Sequence, residues 1–470
     1  MKSDDENKMT SGSALLHDNT ITPKDDRRAR GKVLSGKIPR KLHGEWKPDV
    51  NRPNPLEILS TSDQGRIPEL APIRYGRMSR SPFTFLRGAA AIMAYDLSTS
   101  PTTEVNVQAC GDCHALNFGA FATPERKIVF DINDFDETLP GPWEWDLKRL
   151  AASLMLIARD NELKEKVGSV AAESAARAYR EHMEKYSHMA IFDVWYANFD
   201  WQSVLDQADT GARKSLQSQL KKAQKKSIAG YYFPKMTENR GGTHVIKDSP
   251  PLIFHLEDNE KFFQEMKEGL DLYRQSLQED RQRLLERYKL IDVAIKVVGI
   301  GSVGTTCAVA LLLSPGSDDE PMFLQLKEAR ASVLEDYSGA SQYENHGQRV
   351  VAGQRIMQSA SDICLGWMKL TNGKHFYVRQ LRDTKIKFLP EEWDANQLIA
   401  MAEVMGGVLA RAHARSGDSA VISGYLGNSE EFDLAIAEFA RRYADQSERD
   451  FAVLEQAIAA GKIKITVEAD

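Results

Sequence analysis

The sequence predicts an α+β protein with a mainly helical large lobe and a small antiparallel sheet lobe. Three observations carry this. Through the middle of the chain, apolar residues recur at spacings of three and four, the period of one helix face. From Asp292 the period changes to two and is punctuated by glycine and proline turns, the signature of short strands. After residue 400 the helical spacing returns, through 401–413 and 431–459.

Residues 1–60 are rich in Lys, Arg, Asp, Ser and Pro with few apolar residues at either spacing, which predicts a disordered or loosely packed arm. Within it Arg27, Arg28, Arg30, Lys37, Arg40 and Lys41 make a basic stretch that suits an anion or an acidic surface, with a solvated tail the favoured reading. From Ile73, the run RYGRMSRSPFTFLRGAAAIMAYDL joins a turn at Ser81-Pro82 to an apolar helical segment with Arg77, Arg80 and Arg87 interspersed. Residues 105–135 read as two short strands around a polar loop. The stretches LKRLAASLMLIARDN, SVAAESAARAYREHMEKY and 257–290 are helical, and 231–252, with FPKM, RGGT and SPPL, is loop chemistry. Val293, Ile295 and Val297 alternate before a glycine loop. CAVALLL follows as a strand, SPGSDDEP as a turn and MFLQLKEA as a third strand. A helix over 345–362, the strand HFYVRQL and the terminal helices complete the chain. The organisation expected is therefore an arm (1–60), a first part of the large lobe (61–290), a sheet lobe (291–390) and C-terminal helices that complete the large lobe (391–470).

Composition excludes some functions. In 470 residues, 61 Lys and Arg stand against 67 Asp and Glu, a net charge of −6 that offers no electrostatic case for nucleic acid. Apolar runs fall far short of the roughly 20 residues of a spanning helix, so no membrane span is expected. The polar, acidic start MKSDDENKMTSGS lacks the pattern of a secretory signal, which predicts a cytoplasmic protein. The four cysteines are then read as thiols.

The loop Gly299-Ile300-Gly301-Ser302-Val303-Gly304 is a G-x-G-x-x-G, a pattern shared by unrelated nucleotide folds. A dinucleotide fold continues into a helix. Here a Thr- and Val-containing strand follows, so the loop reads as a flap over phosphates, as in protein kinases, or as an ordinary hairpin. Lys327 on the third strand shares a face with Phe323 and Gln325, where a kinase-like sheet puts the lysine of the α- and β-phosphates. Upstream, Gly111-Asp112-Cys113-His114-Ala115-Leu116-Asn117 sets a carboxylate and a carboxamide in one tight loop, and Asp131, Asp134 and Asp136 cluster in FDINDFDE. Phosphoryl transfer needs a carboxylate for the attacking hydroxyl and oxygen ligands for magnesium, and these residue types supply both. An acidic exposed hairpin is the plainer reading. Cys110-Gly111-Asp112-Cys113-His114 also spells the C-x-x-C-H of haem attachment, read here as coincidence, and Cys307 and Cys364 lack zinc spacing. His413 and Arg415 read as caps of a helix end. Arg80 or Arg87 is expected to serve an anionic part of the site or to order the acidic loop.

GDxHxxN, followed by a strand ending in Asp and by Asp146 in W-D-L-x-R-L-A, resembles the catalytic and metal loops of aminoglycoside phosphotransferases and choline kinase-like enzymes. The fuller pattern RYxRMxxSPFxFLRGA, GDxHxxNFG, FDxNDFDE, GPWEWDLKRLAAS, RQLRDxK and LARAHARSGD resembles the bacterial domain-of-unknown-function family 2252, grouped with the protein-kinase-like superfamily. The resemblance implies a two-lobed, protein-kinase-like fold that is circularly permuted, because the catalytic and metal loops precede the glycine flap. It implies ATP and Mg2+ as cofactors and an unidentified acceptor. Carried over by position, Asp112 is the catalytic base, His114 belongs to the catalytic loop, and Asn117 and Asp134 are metal ligands with Asp131 as runner-up. Gly299, Gly301, Ser302, Gly304 and Lys327 bind the nucleotide, and Glu335 or Glu344 pairs with Lys327. The alternatives are a non-catalytic nucleotide-binding or interaction protein and an NAD-dependent oxidoreductase, the latter disfavoured by the strand after the glycine loop.

Overall fold

The computed structural model describes residues 22–468 apart from 208–212, 214–216, 219, 222–230, 315, 317–319, 382–384 and 387. The expected arm divides accordingly: 1–21 lie outside the described residues, and the rest is folded. Helix α1 (Lys24–Lys37) carries Asp25 and Asp26 in its first turn and Lys37 in its last, the order that favours a helix dipole. It packs on the helix Ser419–Leu426, and Arg27 and Arg28 pair with Asp418 and Glu184. Trp46 meets the rings of Phe439 and Tyr443. The arm therefore lacks a visible apolar face because arginines paired with distant acids hold much of it.

Helices α2 (Pro55–Asp63), α3 (Ala71–Met78), α4 (Pro82–Gly88) and α5 (Ala90–Ser98) follow. The turn expected at Ser81-Pro82 is the start of α4, where Ser81 and Thr84 exchange side-chain and backbone bonds in a capping box. Four strands come next: β1 (Asn106–Ala109), β2 (Phe118–Ala122), β3 (Ile128–Ile132) and β4 (Leu139–Pro142). β1 pairs with β4 and β2 with β3, all antiparallel, so 105–135 holds three strands where two were expected.

Helix α6 (Trp143–Asp160) is buried on every side from Trp143 to Ala158, which marks it as the central helix of the large hydrophobic core. α7 (Glu165–His188) packs along it together with the helices Ala395–Ser416 and Glu431–Ala459. Trp143 stacks on Tyr179 with ring centroids 5.4 Å apart. Among the described residues no helix is long and apolar enough to cross a membrane.

The segment 231–252 contains a hairpin, β5 (Thr237–Arg240) and β6 (Thr243–Ile246), turning on Gly241 and Gly242. A six-stranded antiparallel sheet then assembles from β7 (Ile253–Phe254), β8 (Lys289–Lys296), β9 (Cys307–Leu313), β10 (Pro321–Ala329), β11 (Gly366–Lys369) and β12 (His375–Gln380). Its order is β11-β12-β10-β9-β8-β7. Strand β8 starts before Asp292 because a register shift between Leu290 and Asp292 interrupts the alternation there. The helical stretch 257–290 divides into Asn259–Gln275 and Glu279–Leu285, and the first lies against β8 and β11 over a core of Leu324, Leu326, Phe376 and Val378. β13 (Lys385–Ile386) joins β2, while the motif RQLRDxK and the turn SPGSDDEP fall partly outside the described residues.

Asp131 on β3 and Arg411 on the helix Ala395–Ser416 form an ion pair with both side chains only 1% exposed. Arg411→Met leaves that carboxylate without its cation, and breaking such a buried pair costs about 3–5 kcal/mol. Urea unfolding of the variant is expected to show a loss in that range.

Candidate functional site

The loop after β1 is shaped by α6. Gly111 sits at φ +82°, and a Cβ there would lie 2.4 Å from the Glu137 carbonyl oxygen, so only glycine fits this turn. Asp146, in the first turn of α6, accepts from the backbone N–H of Cys110 (2.6 Å) and of Gly111 (2.9 Å). His413 Nε2 lies 3.1 Å from the same carboxylate, and Tyr179 OH lies 2.9 Å from His413 Nδ1. His413 is thus a fully buried brace for Asp146 and not the helix cap expected. Arg415 donates to the Gln358 carbonyl oxygen and stacks on Trp195 at 4.1 Å.

Three residues beyond Asp146, on the same face of α6, Arg149 donates from Nε to Asp112 Oδ1 at 2.6 Å and from Nη2 to the Leu86 carbonyl oxygen at 2.9 Å. Burial pushes the Asp112 carboxyl up, against the pull of Arg149. His114 Nε2 lies 3.8 Å from Asp112 Oδ2, and burial, with Arg87 and Arg149, holds the ring well below its usual range, so it is neutral. Asn117 donates from Nδ2 to the Asp112 carbonyl oxygen at 2.5 Å, closing the loop.

The β2–β3 hairpin carries the chain to the acidic cluster, whose members part company. Asp131 is buried within β3, accepts from Ser359 N and Oγ at 2.8 Å each, and pairs with Arg411. It lies away from the cleft, which corrects its place among the metal ligands. Asp134, past the strand end, is 35% exposed, with Oδ2 3.7 Å from Lys327 Nζ. Asp136 accepts from Lys327 Nζ (2.7 Å), Tyr377 OH (2.7 Å) and Ser302 Oγ (3.0 Å). Burial alone would raise the Asp136 carboxyl, but Lys327 and Tyr377 bring it down to about 2. Lys327 is buried, and Asp134 and Asp136 lift it well above its ordinary value despite that burial.

Neither glutamate proposed for Lys327 reaches it. Glu335 accepts from the Ser332 N–H and faces His346 and Arg349, and Glu344 is 95% exposed beside Lys369. The helix His346–Met357 contains no glutamate. Its Arg349 donates instead to the carbonyl oxygens of Asp136 and Arg330, at 2.8 Å each.

The glycine loop joins β8 to β9, with Gly299 at φ +69° and Gly304 at φ +90°. The connection between α2 and α3, and α3 itself, hold it down. Arg66 Nη1 donates to the carbonyl oxygens of Gly301 (2.7 Å) and Val303 (2.6 Å), Arg77 Nη1 to that of Gly299 (2.5 Å), and the Ile67 N–H to that of Gly304 (2.7 Å). Beneath lies a cleft of about 240 Å³ whose walls include Asp112, His114, Asn117, Asp134, Asp136, Gly299, Gly301 and Ser302. Lys327 stands behind Asp136, and Gly304 lies outside the lining. Arg66, Arg87 and Arg330 give the cleft its cationic wall.

Cys110 and Cys113 are buried free thiols, Cys110 donating to the Asp134 carbonyl oxygen at 3.3 Å, and burial pushes the Cys113 thiol well up. Among the described residues no group of three or more His, Cys, Asp or Glu side chains is placed to hold a metal ion alone. Sequence reasoning left Asp136 without a role and missed Arg149 and Arg66. The spacing of Asp146 and Arg149 on one helix face was a signal for the first of these arginines, whereas nothing local marks Arg66.

The fold and the cleft define an α+β protein whose acidic loops and glycine flap, distant in sequence, close on one polar site. The chain belongs to the family of uncharacterized proteins conserved in bacteria, DUF2252, whose model matches residues 66–457. No curated protein and no solved structure matches it.

Asp136→Asn removes the nearest carboxylate from buried Lys327 and is expected to cost about 3 kcal/mol at neutral pH. Because the folded pKa lies below the unfolded value of about 3.9, the stabilisation is present above that value and lost as the pH falls towards about 2. Urea unfolding between pH 2 and 6 should therefore show a shallower acid loss in the variant than in the parent.

Proposed function

We propose that the protein is an ATP- and magnesium-dependent phosphotransferase of protein-kinase-like, circularly permuted fold, acting on an acceptor hydroxyl. The observation that carries this reading is the single cleft shared by Asp112, Asn117, Asp134, Asp136 and the loop Gly299–Ser302, with buried Lys327 against Asp136 and 3.7 Å from Asp134. Chain order supports the permutation, since the strand–glycine loop–strand and the lysine strand come after the acidic loops.

The residues present fit the cofactors. Magnesium is commonly held by one or two carboxylates together with substrate phosphates, and the half-exposed Asp134, with Asn117 across the cleft, would hold it. Bound magnesium would neutralise charge on the transferring phosphoryl group. The flap Gly299–Ser302 would cover the phosphates, and Lys327 would supply positive charge beside them. Asp112 would orient the acceptor hydroxyl and take its proton. Its buried carboxyl, raised against Arg149, is better suited to that than an exposed one.

A second reading, a nucleotide-binding protein without turnover, draws on one observation: Lys327 is tied to Asp136, and the helix His346–Met357 offers no glutamate to draw it away.

The two readings separate by calorimetric titration of Mg-ATP together with an ATP-consumption assay using cell extract as acceptor source. Asp134→Ala is expected to abolish magnesium-dependent ATP binding. Asp112→Asn is expected to keep nucleotide affinity and lower turnover by about 10²–10⁴-fold. Binding without turnover in the parent favours the second reading, and no binding at millimolar nucleotide rejects both.

A further inference from the structure

Arg87 stands in the last turn of α4 and lines the cleft. Among the described residues its guanidinium makes no hydrogen bond and has no carboxylate within ion-pair distance, and its Nε is buried without a partner. Its guanidinium carbon lies 5.9 Å from the centre of the Phe83 ring. The arginines around it differ. Arg66 donates to Ser62, Gly301 and Val303 carbonyl oxygens, Arg74 to Asp63 and the Gly88 carbonyl, and Arg149 to Asp112 and the Leu86 carbonyl.

The charges that face Arg87 are Asp112, Glu391, Asp134 and, with like sign, Arg77. Asp112 is engaged by Arg149, Asp134 faces Lys327, and Arg77 is paired with Glu468. Burial lowers the Arg87 pKa, since a cation out of water without a partner is costly. Such a group persists where a ligand completes it. Phe83 ties Arg87 to the base end of the cleft, for its ring also meets the His114 ring edge-on at 6.3 Å, and His114 adjoins Asp112.

We infer that Arg87 is the anchor for an oxyanion, a carboxylate or phosphate, carried by the acceptor whose hydroxyl is presented to Asp112. This rests on the phosphotransferase reading and adds the acceptor's class: a hydroxyl compound that is itself an anion. A planar guanidinium matches either oxyanion with two parallel N–H donors.

The same chemistry could come from the nucleotide's terminal phosphate, because the Arg87 backbone also approaches Gly301, and the test separates the two. Inorganic phosphate is titrated calorimetrically into the full chain, first without nucleotide and then with saturating magnesium and a non-hydrolysable ATP analogue. The parent is expected to bind phosphate at millimolar concentration in both states. Arg87→Gln is expected to weaken that binding at least tenfold, the scale of a lost hydrogen-bonded charge, and Arg87→Lys, which keeps charge without the paired donors, to weaken it less. Should Arg87→Gln fail to fold, the lysine variant decides, with undiminished phosphate binding overturning the assignment. Phosphate binding that disappears when the analogue is present assigns Arg87 to the nucleotide and overturns the acceptor role. No phosphate binding by the parent, or equal binding by parent and Arg87→Gln, overturns the anion site itself. Arg87-dependent phosphate binding in a protein that fails to bind the analogue supports the anion site and sinks the nucleotide reading instead.

Discussion

A carboxylate drawn out of water has to be met by donors or cations, and Asp136 is met from three directions. Lys327 comes from β10, Tyr377 from the paired strand β12 and Ser302 from the glycine loop. One side chain after the β2–β3 hairpin thereby fixes the six-stranded sheet over the acidic loops. The positions of Asp134 and of the flap follow from it. Asp134 lies two residues back on the same turn, accepting from the Asp136 N–H at 3.3 Å, and Ser302 is the middle of the flap. Arg349 completes the turn by binding the Asp136 carbonyl, so its backbone is held as well as its carboxylate.

The loop after β1 is held by a separate arrangement that works through one face of α6. Asp146 fixes the loop's amides and Arg149 its carboxylate, while His413 and Tyr179 fix Asp146 in turn. Because α6 is enclosed by helices on all sides, these anchors share the rigidity of the main core. The N-terminal region serves the opposite part of the cleft. Arg66 and Arg77 grip the carbonyls of the glycine loop, and Arg77 is also paired bidentately with Glu468, so both ends of the described chain bear on the flap.

Much of this was legible in the sequence where the chain signals locally. The strand–loop–strand around Gly299–Gly304 and the helices from residue 143 follow from periodicity alone. The grouping of Asp112, His114, Asn117 and Asp134 follows from the motifs together with the family resemblance they carry, and the cleft contains all four. What local signals miss is long-range pairing. Residues 24–60 look like a loose arm because their fasteners are arginines, such as Arg52 between Asp96 and Asp450, and the partners lie far along the chain. Asp131 and Asp134 look alike in a string of acids. One lies inside a strand facing a buried arginine and the other just beyond its end, a distinction that only tertiary packing creates. The partner of Lys327 is not a downstream glutamate but Asp136, in the upstream acidic cluster.

The balance of charge inside the cleft bears on what it accepts. Asp112 is answered by Arg149 and Asp136 by Lys327, pairs that hold the walls together and leave little attraction over for a ligand. Among the charged residues that line the cleft, Asp134 and Arg87 are two that those pairs do not neutralise. Asp134 keeps a carboxylate partly open, 3.7 Å from a lysine already bound more closely to its neighbour, and Arg87 keeps a cation with no partner among the described residues. An open carboxylate at Asp134 and an unpaired cation at Arg87 in a cavity of about 240 Å³ suit a ligand set that carries charge of both signs. A ligand carrying charge of only one sign would answer only one of these two groups.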